Sequence, residues 1–434
     1  MTARFVLFIS RRMLRGKAGT ARYLRGAVLG IAVSLIPLIV VMEVSTGMIE
    51  GITARLLEVG TYHLQIAVAS DTPAAKLAEM AQAVEGVRQV VIAVPERQGT
   101  AMVVSARGAA GVSIRFVPSD VFSRDRGFSS YITLHPAAAD LSRPDSIMVS
   151  SAMAASLGIA AGDTVSVLTT WGELMSGPPR LTPLVVAGIY ETGYQELDAA
   201  LAYAPLALAD RILSPRSTRS LIGVKVRDPF ADLGDVERQV AAAAGGDARV
   251  ATWREIEYAR LSSFNTTKAL LLFIMALVVV VASVNVSSSI MMILFERRLD
   301  LGILKSVGAG PRALSFSFLI AGLVTGLLGT AAGIAAGLLI AVNINEVIAG
   351  LEWIVNRVLS LASLITSSFV PGAAPMGSFT LFNTAYYLKS IPISIRPGEV
   401  IAAAVAALLL SAIASYLPAA RAARTRPLEI LRKV

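Results

Sequence analysis

Residues Ala269–Gly310 read ALLLFIMALVVVVASVNVSSSIMMILFERRLDLGILKSVGAG. The run to Phe295 carries no charge, and it exceeds the 20 or so residues that cross a hydrocarbon core of about 30 Å. It stops at Glu296-Arg297-Arg298, and the next apolar run opens only at Ala313. The segment between them mixes charges with Leu299, Leu301, Ile303 and Leu304 and ends on Gly308 and Gly310. This pattern predicts a compact amphipathic helix with a glycine stop. As a bare loop it would leave its apolar residues in water. A docking surface for a partner is therefore expected on Glu296, Arg297, Leu299, Asp300, Leu301, Ile303, Leu304, Lys305 and Gly308.

The rest of the chain fits a membrane protein. It has 434 residues, 55% hydrophobic and 16% charged, against roughly 45 to 50% and about 25% in soluble domains. Further spans are read at Gly26–Val44, Ala313–Val342 and Val400–Leu417. The net charge of +9 is concentrated in three places. Arg4, Arg11, Arg12, Arg15, Lys17, Arg22 and Arg25 precede the first span without an acid. Arg297, Arg298, Lys305 and Arg312 lie between the second and third, and Arg421, Arg424, Arg426, Arg432 and Lys433 follow the fourth. By the positive-inside rule these segments are cytoplasmic, as are both termini, and the basicity is not a nucleic-acid signal. The first span is expected to be an uncleaved anchor, because Met42–Gly47 lacks a small-residue cleavage pattern. Glu43, near its outer end, is expected to reach interfacial water.

Within the third span Gly322, Gly326, Gly329, Gly333 and Gly337 are spaced for close helix packing, expected inside a dimeric bundle. Asn285, Ser287, Ser288 and Ser289 in the second span are expected to make interhelical hydrogen bonds.

Between spans one and two the pattern turns to short strands and helices. Strands are predicted at Tyr62–Val68, Gln89–Val94, Thr100–Ser105, Ser113–Val117, Ser220–Val226 and Ala248–Thr252, with helices at Ala74–Val84 and Asp232–Ala243. An insertion contributes strands at Ile147–Val149, Gly162–Val167 and Leu184–Tyr190 and a helix at Ser150–Leu157. A Gly/Pro-rich loop, Trp171–Pro183, projects from it. After the third span, Glu346–Ile365 has the spacing of an amphipathic helix at the membrane surface.

The division that follows is a basic N-terminus (1–25), span one (26–48) and an extracytoplasmic α+β domain (49–268), in which a core (49–117 and 218–268) is interrupted by the insertion (118–217). Span two (269–295), the coupling segment (296–312), span three (313–343), an outer segment (344–396), span four (397–418) and a cytoplasmic tail (419–434) complete it.

No cysteine is present, and His63 and His135 are the only histidines, so thiol and zinc chemistry have no basis and both histidines are read as structural or surface residues. There is no GxxxxGK[ST], HExxH or GxSxG. An autonomous enzyme is not expected.

Residues 295–310 resemble the E-R-x-x-[ED]-[IL]-G-[IL]-L-[KR]-x-[LIV]-G-A signature of FtsX-like permeases, with Asp300 where glutamate is common. The tail, Tyr416-Leu417-Pro418-Ala419-Ala420 to Pro427-Leu428-Glu429-Ile430-Leu431-Arg432, resembles that family's ending. Ser151–Ile159, Gly162-Asp163 and Val186–Tyr190 are similar to the insertion, or sabre, beside the porter subdomain of MacB-type outer domains. The basic N-terminus and Tyr386-Tyr387-Leu388-Lys389-Ser390-Ile391-Pro392 are most similar to lipoprotein-releasing permeases of the LolC/LolE type, with Leu359–Leu381 as an insertion.

This resemblance implies an ABC transporter permease in a bacterial inner membrane, with its large domain in the periplasm. A separate ATPase dimer would bind the 296–310 helix and hold ATP and Mg, with none bound by this chain. Its closure would be passed on mechanically. A second permease, identical or paralogous, the lipoprotein, membrane lipids and a periplasmic carrier would be partners. Acyl chains are expected at Ile39, Val40, Met42, Val44, Met48, Phe264, Leu271 and Leu272, and the carrier at Trp171, Leu174, Met175, Pro178 and Pro179. A MacB-like exporter of peptides or small amphiphiles and an FtsX-like regulator of a periplasmic enzyme are the alternatives.

Overall fold

A computed structural model of the chain describes residues 18–136, 141–169, 180–214, 218–245, 248–296, 298–306, 308–369 and 391–423. These form two compact units, divided at Met48/Ile49 and Ser263/Phe264, with Ile391 onward rejoining the first. Helix α1 (Ala18–Arg55) contains the first of these divisions.

The second unit then runs through β1 (Leu64–Val68), α2 (Ala74–Glu85), β2 (Val90–Val104), β3 (Ala109–Val117), β4 (Thr133–His135), β5 (Ser146–Ser150) and α3 (Ser151–Leu157). It continues with β6 (Thr164–Thr169), β7 (Arg180–Glu191), α4 (Gln195–Ala200), β8 (Leu201–Pro205), β9 (Arg219–Val226), α5 (Gly234–Ala243) and β10 (Arg249–Thr252). Helix α6 (Tyr258–Glu296) returns to the first unit, followed by α7 (Arg298–Ser306), α8 (Pro311–Val342), α9 (Ile344–Phe369) and α10 (Pro397–Ala423).

All the described strands join one sheet in the order β10-β1-β9-β2-β3-β8-β5-β7-β4, with β6 between β2 and β7. The β3/β8 and β5/β7 pairs are parallel and the others antiparallel. Two apolar cores lie along it. One gathers Leu64, Ile66, Leu77, Val84, Ile222, Val224, Val236, Val240 and Trp253. The other gathers Val103, Ile114, Phe116, Ile147, Val149, Leu157, Val167, Val186 and Ile212.

The expected cut at 117/118 therefore does not separate two bodies. Val103 at the end of β2 and Val112, Ile114 and Phe116 of β3 belong to the insertion's core, because the ladder passes from β9 to β3 along one strand. The expected break between Val94 and Thr100 is also absent. Pro95 pairs with Ile222 inside β2, and Glu96 and Arg97 continue the ladder. These two charges do not mark a loop because each is buried against a partner, Arg115 and Asp210 respectively. Strands β4 and β8 were not expected.

In the helical unit, α1, α6, α8 and α10 are long and apolar enough to cross a membrane, and the four expected spans lie inside them. The helices outrun those spans, since α1 reaches Arg55 and α6 starts at Tyr258. Hydropathy marks the lipid-compatible length of a helix, while its hydrogen bonding continues through residues such as Glu50 and Arg260.

The five glycines of α8 face two helices of the same chain. A Cβ on Gly329, Gly333 or Gly337 would stand 2.8, 2.8 and 2.9 Å from the Cβ of Ile31, Leu35 and Ile39 on α1. On Gly322 it would strike Ser415, and on Gly326 it would meet Ser411 Oγ at 2.5 Å, both on α10. Ser411 also donates to the Gly322 carbonyl at 3.1 Å. The close helix packing expected of these glycines is made with two helices of the same chain. Ser288 returns its hydroxyl to the Val284 carbonyl of its own helix at 3.0 Å and does not reach across to another, a local bond that satisfies it in lipid.

Gly333→Leu would force α1 away at a cost of about 1–3 kcal/mol, lowering the melting temperature in detergent. Gly350→Ala on α9, where a Cβ meets open space, should leave melting unchanged or slightly raised, since Ala outranks Gly in a helix by roughly 0.5–1 kcal/mol.

Candidate substrate groove and coupling helix

Between α1, α6 and α10 lies an open groove of about 450 Å³, within the range of roughly 300–1,000 Å³ usual for ligand sites. Its walls are apolar: Leu38 and Met42 from α1, Leu272, Ala276, Val279 and Val280 from α6, and Ala402, Ala403, Ala406, Ala407 and Leu410 from α10. The small residues recur along α10 at helical spacing, so that wall is nearly smooth. Only Lys268 and Glu399 among the lining residues are charged. Lys268 Nζ donates to Glu399 Oε1 at 2.9 Å and to Thr46 Oγ1 at 2.7 Å, and Thr46 Oγ1 donates to Glu399 Oε2 at 3.3 Å. Three spans are thereby tied together at one end of the groove.

The segment leading into α10 is held beside this knot. Asn345 exchanges two hydrogen bonds with the Ile391 backbone, at 3.1 and 3.3 Å. The Arg396 N–H donates to Glu43 Oε2 at 3.4 Å. Gly47 lies so close to the Pro392 carbonyl that a Cβ there would overlap it. Glu43 is 1% exposed and so does not reach interfacial water. An open groove with apolar walls and one ion pair in its lining has the chemistry to take an amphiphile.

Of the residues expected to touch acyl chains, Met42 and Leu272 line the groove. Ile39 points at Gly337 of α8, and Val40, Val44, Met48, Phe264 and Leu271 are partly buried outside the lining set. The α10 wall and the ion pair escaped sequence reasoning. Their signal was a pair of opposite charges, Lys268 and Glu399, each at the start of an apolar run.

The coupling segment folds as α7. Its end is closed by Gly308, with φ +97°: Gly308 N–H donates to the Lys305 carbonyl at 3.0 Å and Ala309 N–H to the Leu304 carbonyl at 2.9 Å. This pair of hydrogen bonds is the Schellman stop, and Leu304 packs against the core cluster that contains Ala309. Leu304 thus packs inward, while Ile303 is 57% and Phe295 65% exposed. Burial lowers the Lys305 pKa from its ordinary value, so this amine is partly withdrawn from water. Arg297 and the carrier-loop residues Trp171, Leu174, Met175, Pro178 and Pro179 lie outside the described residues. So do the side chains of Leu299, Asp300 and Leu301, although their backbones are part of α7.

Four crossing helices, an amphipathic helix between the second and third, and a large α+β domain between the first and second define a multi-pass membrane permease. Residues 26–243 match the MacB-like periplasmic core domain, residues 272–427 match the FtsX-like permease C-terminal domain, and the chain belongs to this family of permeases. It is 27% identical over 416 residues to the lipoprotein-releasing system transmembrane protein LolC of Neisseria meningitidis serogroup B, covering 94% of this chain and 93% of that one. It is 25% identical over 295 residues to LolE of Haemophilus influenzae, covering 66% and 64%. Among solved structures, the periplasmic region of MacB from Actinobacillus actinomycetemcomitans matches 47% of this chain and 94% of that one, at 11% identity and a TM-score of 0.31.

Lys268→Glu would set two carboxylates against each other beside the bilayer and should cost about 2 kcal/mol. That is less than the roughly 3–5 kcal/mol of a fully buried broken pair, because these side chains are 18% and 27% exposed. The exchange Lys268→Glu/Glu399→Lys should recover most of the lost melting temperature; a double variant no more stable than the single one would refute the pairing.

Proposed function

We propose that the chain is the permease subunit of an ABC transporter that extracts lipoproteins from the inner membrane, using ATP hydrolysed by a separate subunit. The groove is the observation that carries this reading: it offers apolar walls at membrane depth and a single polar end, in a chain similar over 94% of its length to a protein named for lipoprotein release. Acyl chains would lie along Leu38, Met42, Leu272, Ala276, Ala403 and Leu410, with the polar end of the lipoprotein at Lys268 and Glu399.

The basic segments support a cytoplasmic side for both termini and α7. There α7 would meet the ATPase dimer, with Ile303 and Phe295 as apolar contacts, and the partner would hold ATP and Mg. ATP-driven closure would be passed to the periplasmic domain as a population shift. A second permease and a periplasmic carrier would complete the machine.

A photo-cross-linking residue at Ala403, in the groove, should capture an acylated lipoprotein in cells. The same residue at Leu339, 67% exposed on α8, should not. Equal capture of a version whose acylated cysteine is replaced by serine, or capture at Leu339 alone, would sink the assignment.

A further inference from the structure

The end of α1 is held by buried cations. After Arg55 the helix widens into a π-helical turn over Leu56–Thr61, and the Thr61 hydroxyl donates to the Leu56 carbonyl at 3.0 Å. The chain then breaks at Tyr62, with φ 62°. Helix ends leave carbonyls without donors, and single π turns recur at functional positions. Lys225 Nζ takes the Glu58 carbonyl at 2.8 Å and the Glu58 carboxylate at 2.7 Å. It also lies 2.7 Å from Asp125 Oδ2, an ion contact off the line of a directed hydrogen bond. Arg115 donates to the Val59 carbonyl and holds Glu96 through two hydrogen bonds of 2.5 Å. The side chains of Arg115 and Glu96 are 2% and 0% exposed, and that of Lys225 4%.

Tyr62 links the two cations. Its ring lies 5.1 Å from the Arg115 guanidinium and 5.9 Å from Lys225 Nζ, and its hydroxyl donates to Glu96 at 2.7 Å. Burial first, and then the Glu96 charge, push the phenol well above its ordinary pKa, so it remains a donor. His63 accepts from the Val226 N–H through Nδ1 at 2.9 Å, which leaves Nε2 to donate to Glu58 at 3.3 Å. Two glycines make the room: a Cβ on Gly223 would fall into the Tyr62 ring, and one on Gly127 onto the Glu58 carboxylate.

We propose that Arg115 and Lys225 are positioning residues that lock the end of α1 into the sheet, so that displacement of α1 moves the strands of its domain with it. Cations at a helix C-terminus oppose its dipole. An apolar joint of the same volume would hold the elements together at least as strongly. Bonds directed from β3 and β9 at two particular carbonyls, however, also prevent the helix from turning or sliding against those strands. The inference rests on the ATP-driven permease reading but not on the identity of the cargo.

The test uses the full chain co-purified with its ATPase in lipid nanodiscs, as wild type and as Glu96→Gln/Arg115→Met, which leaves no orphaned charge. Hydrogen exchange is followed through residues 56–68 and 219–226 with and without a non-hydrolysable ATP analogue. Wild-type exchange should change by about tenfold on nucleotide binding. The double variant should lose that response while ATP hydrolysis stays within about twofold of wild type and melting is little altered. Arg115→Lys, which keeps a cation beside Val59 and Glu96, should restore part of the response.

If the first double variant fails to fold, Glu58→Gln/Lys225→Met decides by the same criterion. A folded double variant with the full response overturns the proposal, as does a wild type with none. A responding wild type whose complex releases no acylated protein leaves the joint standing and overturns the cargo reading.

Discussion

Five glycines mark where α1 and α10 come closest to α8, and the helical unit depends on that close approach. In lipid there is no hydrophobic drive between helices, so association rests on close van der Waals contact and hydrogen bonds between backbones and small side chains. Gly329, Gly333 and Gly337 let α1 approach so closely that a Cβ on any of them would stand 2.8–2.9 Å from a Cβ of α1, and Gly322 and Gly326 leave room for the serines of α10. Once α1 and α10 are set against α8, the remaining faces of the two helices border α6 along the groove. The shape of the candidate site is thus a consequence of glycines that do not touch it.

The hydrocarbon core made the spans legible. Inside it every backbone group must be paired within its own helix, so an uncharged run of sufficient length admits one reading. The stop of α7 was legible for a similar reason: Gly308 sits at a positive φ that other residues resist. Burial of charge defeated the same reasoning in the sheet unit. Glu96 and Arg97 read as a loop between two strands, yet they lie inside β2 because Arg115 and Asp210 pair with them. Sequence spacing carries no trace of partners that lie between 19 and 113 residues away. The α10 wall of the groove was missed because alanines in a span look like filler, and only the structure shows that their smallness creates space.

Two clusters use charge where an apolar residue would have been simpler. Lys268 and Glu399 tie three spans at the end of the groove, and Arg115 and Lys225 hold the end of α1. Buried ion pairs add little net stability compared with good apolar packing. What they supply is a defined geometry, which the proposed ATP-driven permease would need more than added stability. The two clusters belong to different units, each intelligible from its own contacts.

In the proposed function, ATP drives an acylated protein out of the bilayer through this chain. The most direct measurement is made in proteoliposomes that contain the chain, its co-purifying partners and a lipoprotein, by following the soluble fraction after ATP is added. ATP-dependent appearance of the acylated protein is expected when a soluble acceptor is present, and none when Lys268→Glu disrupts the end of the groove. ATP hydrolysis with the lipoprotein still in the membrane under every condition would contradict it.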